Sequence, residues 1–216
     1  MIKIQKLAEP DVLKNNAKGW LQDLKDAIVL GDKKLIDSRK ARYNHKEIKA
    51  AAKQETHGKC AYCECNVTAV SHGDIEHIFP KSLDIERTFE WENLGFSCQI
   101  CNQNKSDTNP ESESIIDPYT TNPSDFIMFV GGLINSKGTV EGVNTILTLK
   151  LNRAELNERR LNTMKAVLHA FELIQMARNP QEKALFIQDF ENNELGPERE
   201  FAAMRRDFWK VYKDQL

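Results

Sequence analysis

No stretch of this chain is apolar for the length of a membrane span, and its first residues, Met1-Ile2-Lys3-Ile4-Gln5-Lys6, lack the apolar core of a signal peptide. Internal repeats and low-complexity tracts are also missing. There is no excess of positive charge: 30 Lys and Arg against 32 Asp and Glu give a net charge of −2. That balance speaks against general, charge-driven binding along nucleic acid. A sixth cysteine is absent too, so the five present cannot all pair, and four of them fall into CxxC pairs. In a chain with no export signal this favours metal ligation over disulfides and a cytoplasmic setting; the fifth, Cys65, reads as a small packing residue. At 216 residues, 40% apolar and 29% charged, the chain suits one composite domain, or a small core with helical flanks.

What is present is concentrated in the first half. Cys60-Ala61-Tyr62-Cys63 and Cys98-Gln99-Ile100-Cys101 bracket Asp74-Ile75-Glu76-His77-Ile78-Phe79-Pro80-Lys81, and Asn102-Gln103-Asn104-Lys105 follows at once. Four thiolates at this spacing can close a tetrahedral zinc site. The 34 residues between Cys63 and Cys98 exceed what a zinc ribbon needs, leaving room for a hairpin and a connection to a helix. Phosphodiester hydrolysis needs a base to deprotonate water and a cation to offset developing charge. His77 suits the base, having a near-neutral ordinary pKa. Glu76 offers a hard oxygen for Mg²⁺ or Mn²⁺, and Asn102 follows a zinc thiolate directly, so the zinc would fix where its amide points. Lys81 and Lys105 are candidates for holding substrate phosphate, and Asn104 is the alternative to Asn102 if the helix begins later. His57, His72 and His169 read as loop or surface residues.

Charge is also unevenly distributed. Lys33 to Lys53 carries eight cations against two acids, whereas His57 to Asp107 carries four cations against eight acids. The basic stretch fits a phosphate-gripping flank or a solvated helix face beside an acidic, metal-binding centre.

Glu76-His77-x-x-Pro80-Lys81, Trp91-Glu92-Asn93-Leu94 and Cys98-x-x-Cys101-Asn102-x-x-Lys105 resemble the three signature segments of the HNH endonucleases. The resemblance implies a zinc-stapled ββα-metal fold, with structural Zn²⁺ on Cys60, Cys63, Cys98 and Cys101. It implies His77 as general base, Glu76 and Asn102 as ligands of a catalytic Mg²⁺ or Mn²⁺, and Asn93 as the residue that braces the loop and orients the histidine. Two positions depart from the commoner pattern. Glu76 stands where Asp is usual, so Asp74 joins or replaces it as a candidate ligand, and the third signature position is Asn rather than His. Lys59 to Glu64, Phe89 to Leu94, Asp117-Pro118 and Thr145 to Arg160 further resemble the HNH subunits of bacterial anti-phage systems, notably Septu and certain retron-associated systems. That implies an effector nuclease working beside an ATPase of the ABC/SMC type on DNA, with tRNA or other RNA as the alternative. The rival reading is a non-catalytic zinc-stapled module that binds nucleic acid or protein.

The expected fold is α+β and mostly helical, with an HNH module at 57–107 between a helical region at 1–56 and a C-terminal region at 108–216 holding a short hairpin and then helices. Helical periodicity predicts helices over 11–30 and 36–55, and strands with a turn at Ser71-His72-Gly73 are expected between Val67 and Phe79. A short helix is expected at 102–107 and a linker over 108–124. Strands are expected at 126–130 and 145–149, a capping box at Asn152 and Glu155, and helices after it, near 181–190 and 197–212.

Overall fold

The computed structural model describes residues 1–69 and 71–215. Val70, inside the first expected strand, and Leu216, at the end of the C-terminal region, lie outside the described residues. The fold is mostly helical α+β, with two small antiparallel pairs and a four-cysteine cluster flanked by helices.

Helix α1, Asp11–Leu30, has the expected bounds and ends at Gly31, whose φ of 70° is the left-handed conformation that glycine adopts without strain. Leu13, Leu24 and Ala27 form its buried face. The single helix expected over 36–55 is instead two, α2 (Lys33–Lys40) and α3 (Lys46–Glu55), joined by a 3-10 turn at Ala41–Asn44. His45 makes the break: its backbone is extended, and its Nδ1 accepts the Glu47 N–H as a cap for α3. The break matters for the site because it turns Tyr43 inward.

The central hairpin differs from the expected one. Strand β1, Asp74–His77, pairs antiparallel with β2, Leu94–Ser97, in the register Asp74 to Ser97 and His77 to Leu94. No strand is assigned to the described residues between Val67 and Gly73. Gly73 opens β1 at φ +63°, and a Cβ there would lie 2.3 Å from the Phe96 ring, so β2 packs against a position only glycine can fill. The sixteen residues between the strands carry short 3-10 turns at Ile85–Phe89 and Trp91–Asn93. Helix α4 runs Gln99–Lys105, three residues earlier than expected, because the Cys98 Sγ accepts the Cys101 N–H as an N-cap. The order β1, β2, α4 is the ββα arrangement.

Beyond it, the expected linker is ordered: Ile115 and Ile116 are buried, and the Ile116 N–H donates to Thr145 Oγ1 at 2.8 Å. Strand β3, Ile127–Val130, is as expected, but its partner is β4, Leu133–Ser136. Residues 145–149, expected as a strand, lie largely in helix α5, Val140–Thr148, which Thr139 caps through the Gly142 N–H. Helix α6, Ala154–Gln175, starts after Arg153 with no side-chain cap. Asn152 instead donates to Ile134 O and accepts from Ile134 N–H, holding β4. Helices α7 (Pro180–Glu194) and α8 (Ala202–Tyr212) complete the chain.

Trp91 anchors the N-terminal segment to this core. It is almost fully buried, donates its indole N–H to Leu7 O at 2.8 Å, and has the Lys6 ammonium 3.8 Å above its ring. Burial of such a side chain contributes about 1.5–3 kcal/mol, with the cation adding to it. No helix among the described residues is long and apolar enough to cross a membrane.

Candidate active site and metal centre

The four cysteines converge as their spacing requires. One sulfur from each of Cys60, Cys63, Cys98 and Cys101 lies within 4.8 Å of all the others, and the Cys63 and Cys98 sulfurs are 3.9 Å apart. A tetrahedral ion with Zn–S bonds of about 2.3 Å needs sulfurs about 3.8 Å apart. The four cysteines are therefore positioned to bind a structural metal such as zinc. The first pair sits on a tight knuckle in which Glu64 takes φ 62° and Cys60 N–H bonds Cys65 O at 2.9 Å. Ala61 N–H bonds Phe96 O at 2.9 Å, fastening the knuckle to β2, and the second pair opens α4. Arg153 brings its guanidinium to 3.9 Å from the Cys101 sulfur, where it offsets thiolate charge.

One residue past the cluster, Asn102 Nδ2 donates to Asp74 Oδ2 at 3.3 Å. The amide of α4 and the acid at the start of β1 therefore meet, although they are 28 positions apart. Glu76 is arranged differently. Its Oε1 forms a buried ion pair with Lys105 Nζ at 2.9 Å, and the same ammonium donates to His77 O at 2.9 Å. Lys105 is thus an internal brace between α4 and β1, not a surface cation for phosphate. Glu76 Oε2 is buried and has no hydrogen-bond partner. Burial pushes the Glu76 carboxyl up to about 7; Lys105 opposes that shift, and Asp74 adds to it. Asp74 and Asn102 thus meet while the nearby Glu76 keeps one oxygen orphaned; carboxylate and amide oxygens are the hard donors that Mg²⁺ or Mn²⁺ takes. Asn104, the alternative to Asn102, points elsewhere, its Nδ2 reaching Leu149 O at 3.4 Å.

His77 ends β1 and is 5% exposed. Its Nε2 lies 3.0 Å from Thr88 O. A carbonyl can only accept, so Nε2 carries the proton and Nδ1 keeps its lone pair. Burial and then the nearby Lys81 ammonium hold His77 down to about 3, so the ring is neutral, the state a proton acceptor requires. The loop that supplies Thr88 O is fixed by Asn93. Its Oδ1 accepts Phe79 N–H at 2.7 Å, and its Nδ2 donates to Phe79 O and Arg87 O, each at 3.0 Å.

Sequence reasoning missed two groups. Tyr43 meets the His77 ring edge-on at 4.5 Å, and Thr88 contributes only a backbone carbonyl. Tyr43 had a signal available, an aromatic among eight cations, but a carbonyl has none. Lys81 Nζ lies 3.4 Å from His77 Nδ1 and 4.9 Å over the Tyr43 ring. Within the basic stretch, Arg42 and Arg39 are drawn onto Asp23 at 2.6 and 4.0 Å, while Lys33, Lys34, Lys46 and Lys53 face solvent. His57 and His72 are exposed, and His169 pairs with Glu172 on the surface of α6.

Beside the ββα unit and the cysteine cluster, residues 60–108 match the HNH endonuclease family, so the chain carries an HNH domain. Over a longer span the chain is similar to Septu protein PtuB of Bacillus mycoides (strain KBAB4), 29% identical over 210 residues, covering 77% of this chain and 68% of that protein. It is also 31% identical over 135 residues to Septu protein PtuB of Bacillus thuringiensis, covering 61% of this chain and 52% of that protein. The second match thus spans about half of its relative's length.

Proposed function

We propose that this chain is a metal-dependent endonuclease that hydrolyses phosphodiester bonds, with DNA as substrate. The observation that carries the reading is the fixed tautomer of His77: with Nε2–H committed to Thr88 O, the Nδ1 lone pair is left to take a proton. In the proposed reaction His77 Nδ1 accepts a proton from water, the oxygen attacks phosphorus in line, and the 3′ oxygen departs, giving a 5′ phosphate and a 3′ hydroxyl. Nothing in this chemistry needs a 2′ hydroxyl. Asp74 and Asn102, with Glu76 through its orphaned oxygen, would hold one Mg²⁺ or Mn²⁺, which supplies the positive charge that offsets the phosphorane and the leaving oxygen. Asn93 acts through the loop it braces. The cysteine cluster holds Zn²⁺ for structure alone.

The three-part division at 57 and 107 belongs to the same reading, with residues 1–56 and 108–216 gripping substrate and docking a partner. Similarity to Septu protein PtuB supports a role in anti-phage defence, and an ATPase of the ABC/SMC type is the proposed partner. The test is His77→Ala, assayed for plasmid nicking in Mg²⁺ and Mn²⁺. Cleavage should fall at least a hundredfold while zinc content stays as in the parent chain and the variant still unfolds in one cooperative transition. A variant that still nicks plasmid contradicts the assignment.

A further inference from the structure

We propose that Lys81 is a substrate-released latch on the base. In the free protein its ammonium covers the His77 Nδ1 lone pair, and an arriving backbone phosphate draws it away, so the base is uncovered where a phosphodiester already lies. This inference rests on the reading of His77 as general base.

The tautomer argument fixes the direction of the contact. Because Nε2 donates to Thr88 O, Nδ1 can only accept, and the group in front of it is the Lys81 ammonium at 3.4 Å. Water and Lys81 therefore compete for one lone pair. Tyr43 completes the latch: its ring stands edge-on to His77 at 4.5 Å and lies 4.9 Å under the same ammonium. Lysine, tyrosine and histidine thus form a closed triangle over the base.

Lys81 is also the one of the two candidate lysines able to move. Lys105 is 1% exposed and holds both Glu76 and His77 O. Lys81 is half-buried, and among the described residues no carboxylate lies within 4.0 Å of its ammonium. Its contacts are a neutral imidazole and a neutral ring, the Glu76 and Asp107 carboxylates attract it only from beyond ion-pair distance, and all are weaker than a directly bound anionic oxygen. Its backbone is fixed: Leu83 and Asp84 N–H both bond Pro80 O, and Ser82 Oγ donates to Asp107 Oδ1 at 2.8 Å, tying the turn to the end of α4. Release then needs only side-chain rotation, not loop movement, beside a basic flank whose Lys40 already acts on His77 through its charge. A lysine that merely packs on Tyr43 would not respond to substrate.

Two readouts on the full, zinc-loaded chain test this. In protein carrying ¹⁵N-labelled histidine, a short DNA duplex added without divalent metal should move the His77 Nδ1 resonance towards that of an uncovered lone pair. In Lys81→Met, which keeps the aliphatic stem, the resonance should start at that position, and the duplex should leave it there. In plasmid cleavage, Lys81→Met should raise KM about tenfold or more, the loss of one charge-assisted contact, with kcat held within about threefold; Lys81→Arg should recover KM. An Nδ1 resonance unmoved at saturating duplex, or a Lys81→Met chain that matches the parent in KM, overturns the latch. A His77→Ala chain that still cleaves sinks the base reading instead, so the two failures are told apart.

Discussion

The cysteine cluster and the proposed hard-oxygen set meet at adjacent residues of one short helix, and they are built on opposite plans. The cysteine cluster at the start of α4 supplies four soft ligands, three of them buried, in a complete tetrahedral set with an arginine alongside. One residue further on, the proposed catalytic set of Asp74, Glu76 and Asn102 would supply hard oxygens; Asp74 and Asn102 are only half-buried, and Glu76 keeps one oxygen unpartnered. A closed set leaves no position for substrate, so its metal holds structure. An open set leaves positions for water and phosphate. Helix α4 couples them: Cys101 and Asn102 are neighbours, so fixing the thiolates fixes where the amide meets Asp74.

The largest break in this comparison comes from the closed set. Cys101→Ser replaces a fully buried ligand, and structural zinc contributes about 10–16 kcal/mol in zinc-finger peptides. That exceeds or matches the whole stability of a typical domain, about 5–15 kcal/mol. Cys101→Ser should lose its zinc and its cooperative thermal transition, as followed by circular dichroism. A variant that unfolds like the parent would deny the cluster its structural role.

Lys105→Met comes next. It leaves the buried Glu76 carboxylate without its ion pair and frees His77 O, a loss of about 3–5 kcal/mol in chemical denaturation, with zinc retained. A change confined to DNA affinity would instead make Lys105 a phosphate contact. Asn93→Ala removes three hydrogen bonds from a buried loop, costing about 2–4 kcal/mol and roughly 5–15 °C in Tm, again with zinc in place. Cleavage should fall with it, because the Thr88 carbonyl loses its fixed position.

The last effect is in pH dependence. His77 is held at about 3 against an ordinary 6.5, so its contribution to stability is fully present above about pH 6.5 and is lost as pH falls towards 3. His77→Gln should flatten that acid limb of the stability curve. An unchanged limb would mean the ring is not held neutral.

The residues of the proposed open site were legible because they lie in short segments: Glu76-His77, Asn93 and Asn102 stand at fixed spacings from the cysteines, and α4 carries Cys101 and is capped by Cys98. The hairpin was not legible. Leu94–Ser97 is a four-residue strand with no exposed residue, so it carries no alternation, and its partner lies sixteen residues back across irregular turns. Residues 145–149 read as a strand through Thr and Ile, but the Thr139 cap and a glycine whose Cβ would lie 2.5 Å from Phe126 O fix a helix there. The sequence left Asp74 and Glu76 as alternatives and could not show that Lys105, one helical turn past Asn102, pairs with Glu76 while the Asn102 amide meets Asp74.

The division of labour between the two sets is tested most directly by counting metals in the parent chain and in Asp74→Ala/Asn102→Ala. Zinc is measured by elemental analysis after dialysis, and Mn²⁺ is titrated by electron paramagnetic resonance. Both chains should retain one zinc, while the parent binds one further Mn²⁺ weakly and the double variant loses that affinity at least tenfold. A double variant that keeps the parent's Mn²⁺ affinity, or that sheds its zinc, would contradict the account.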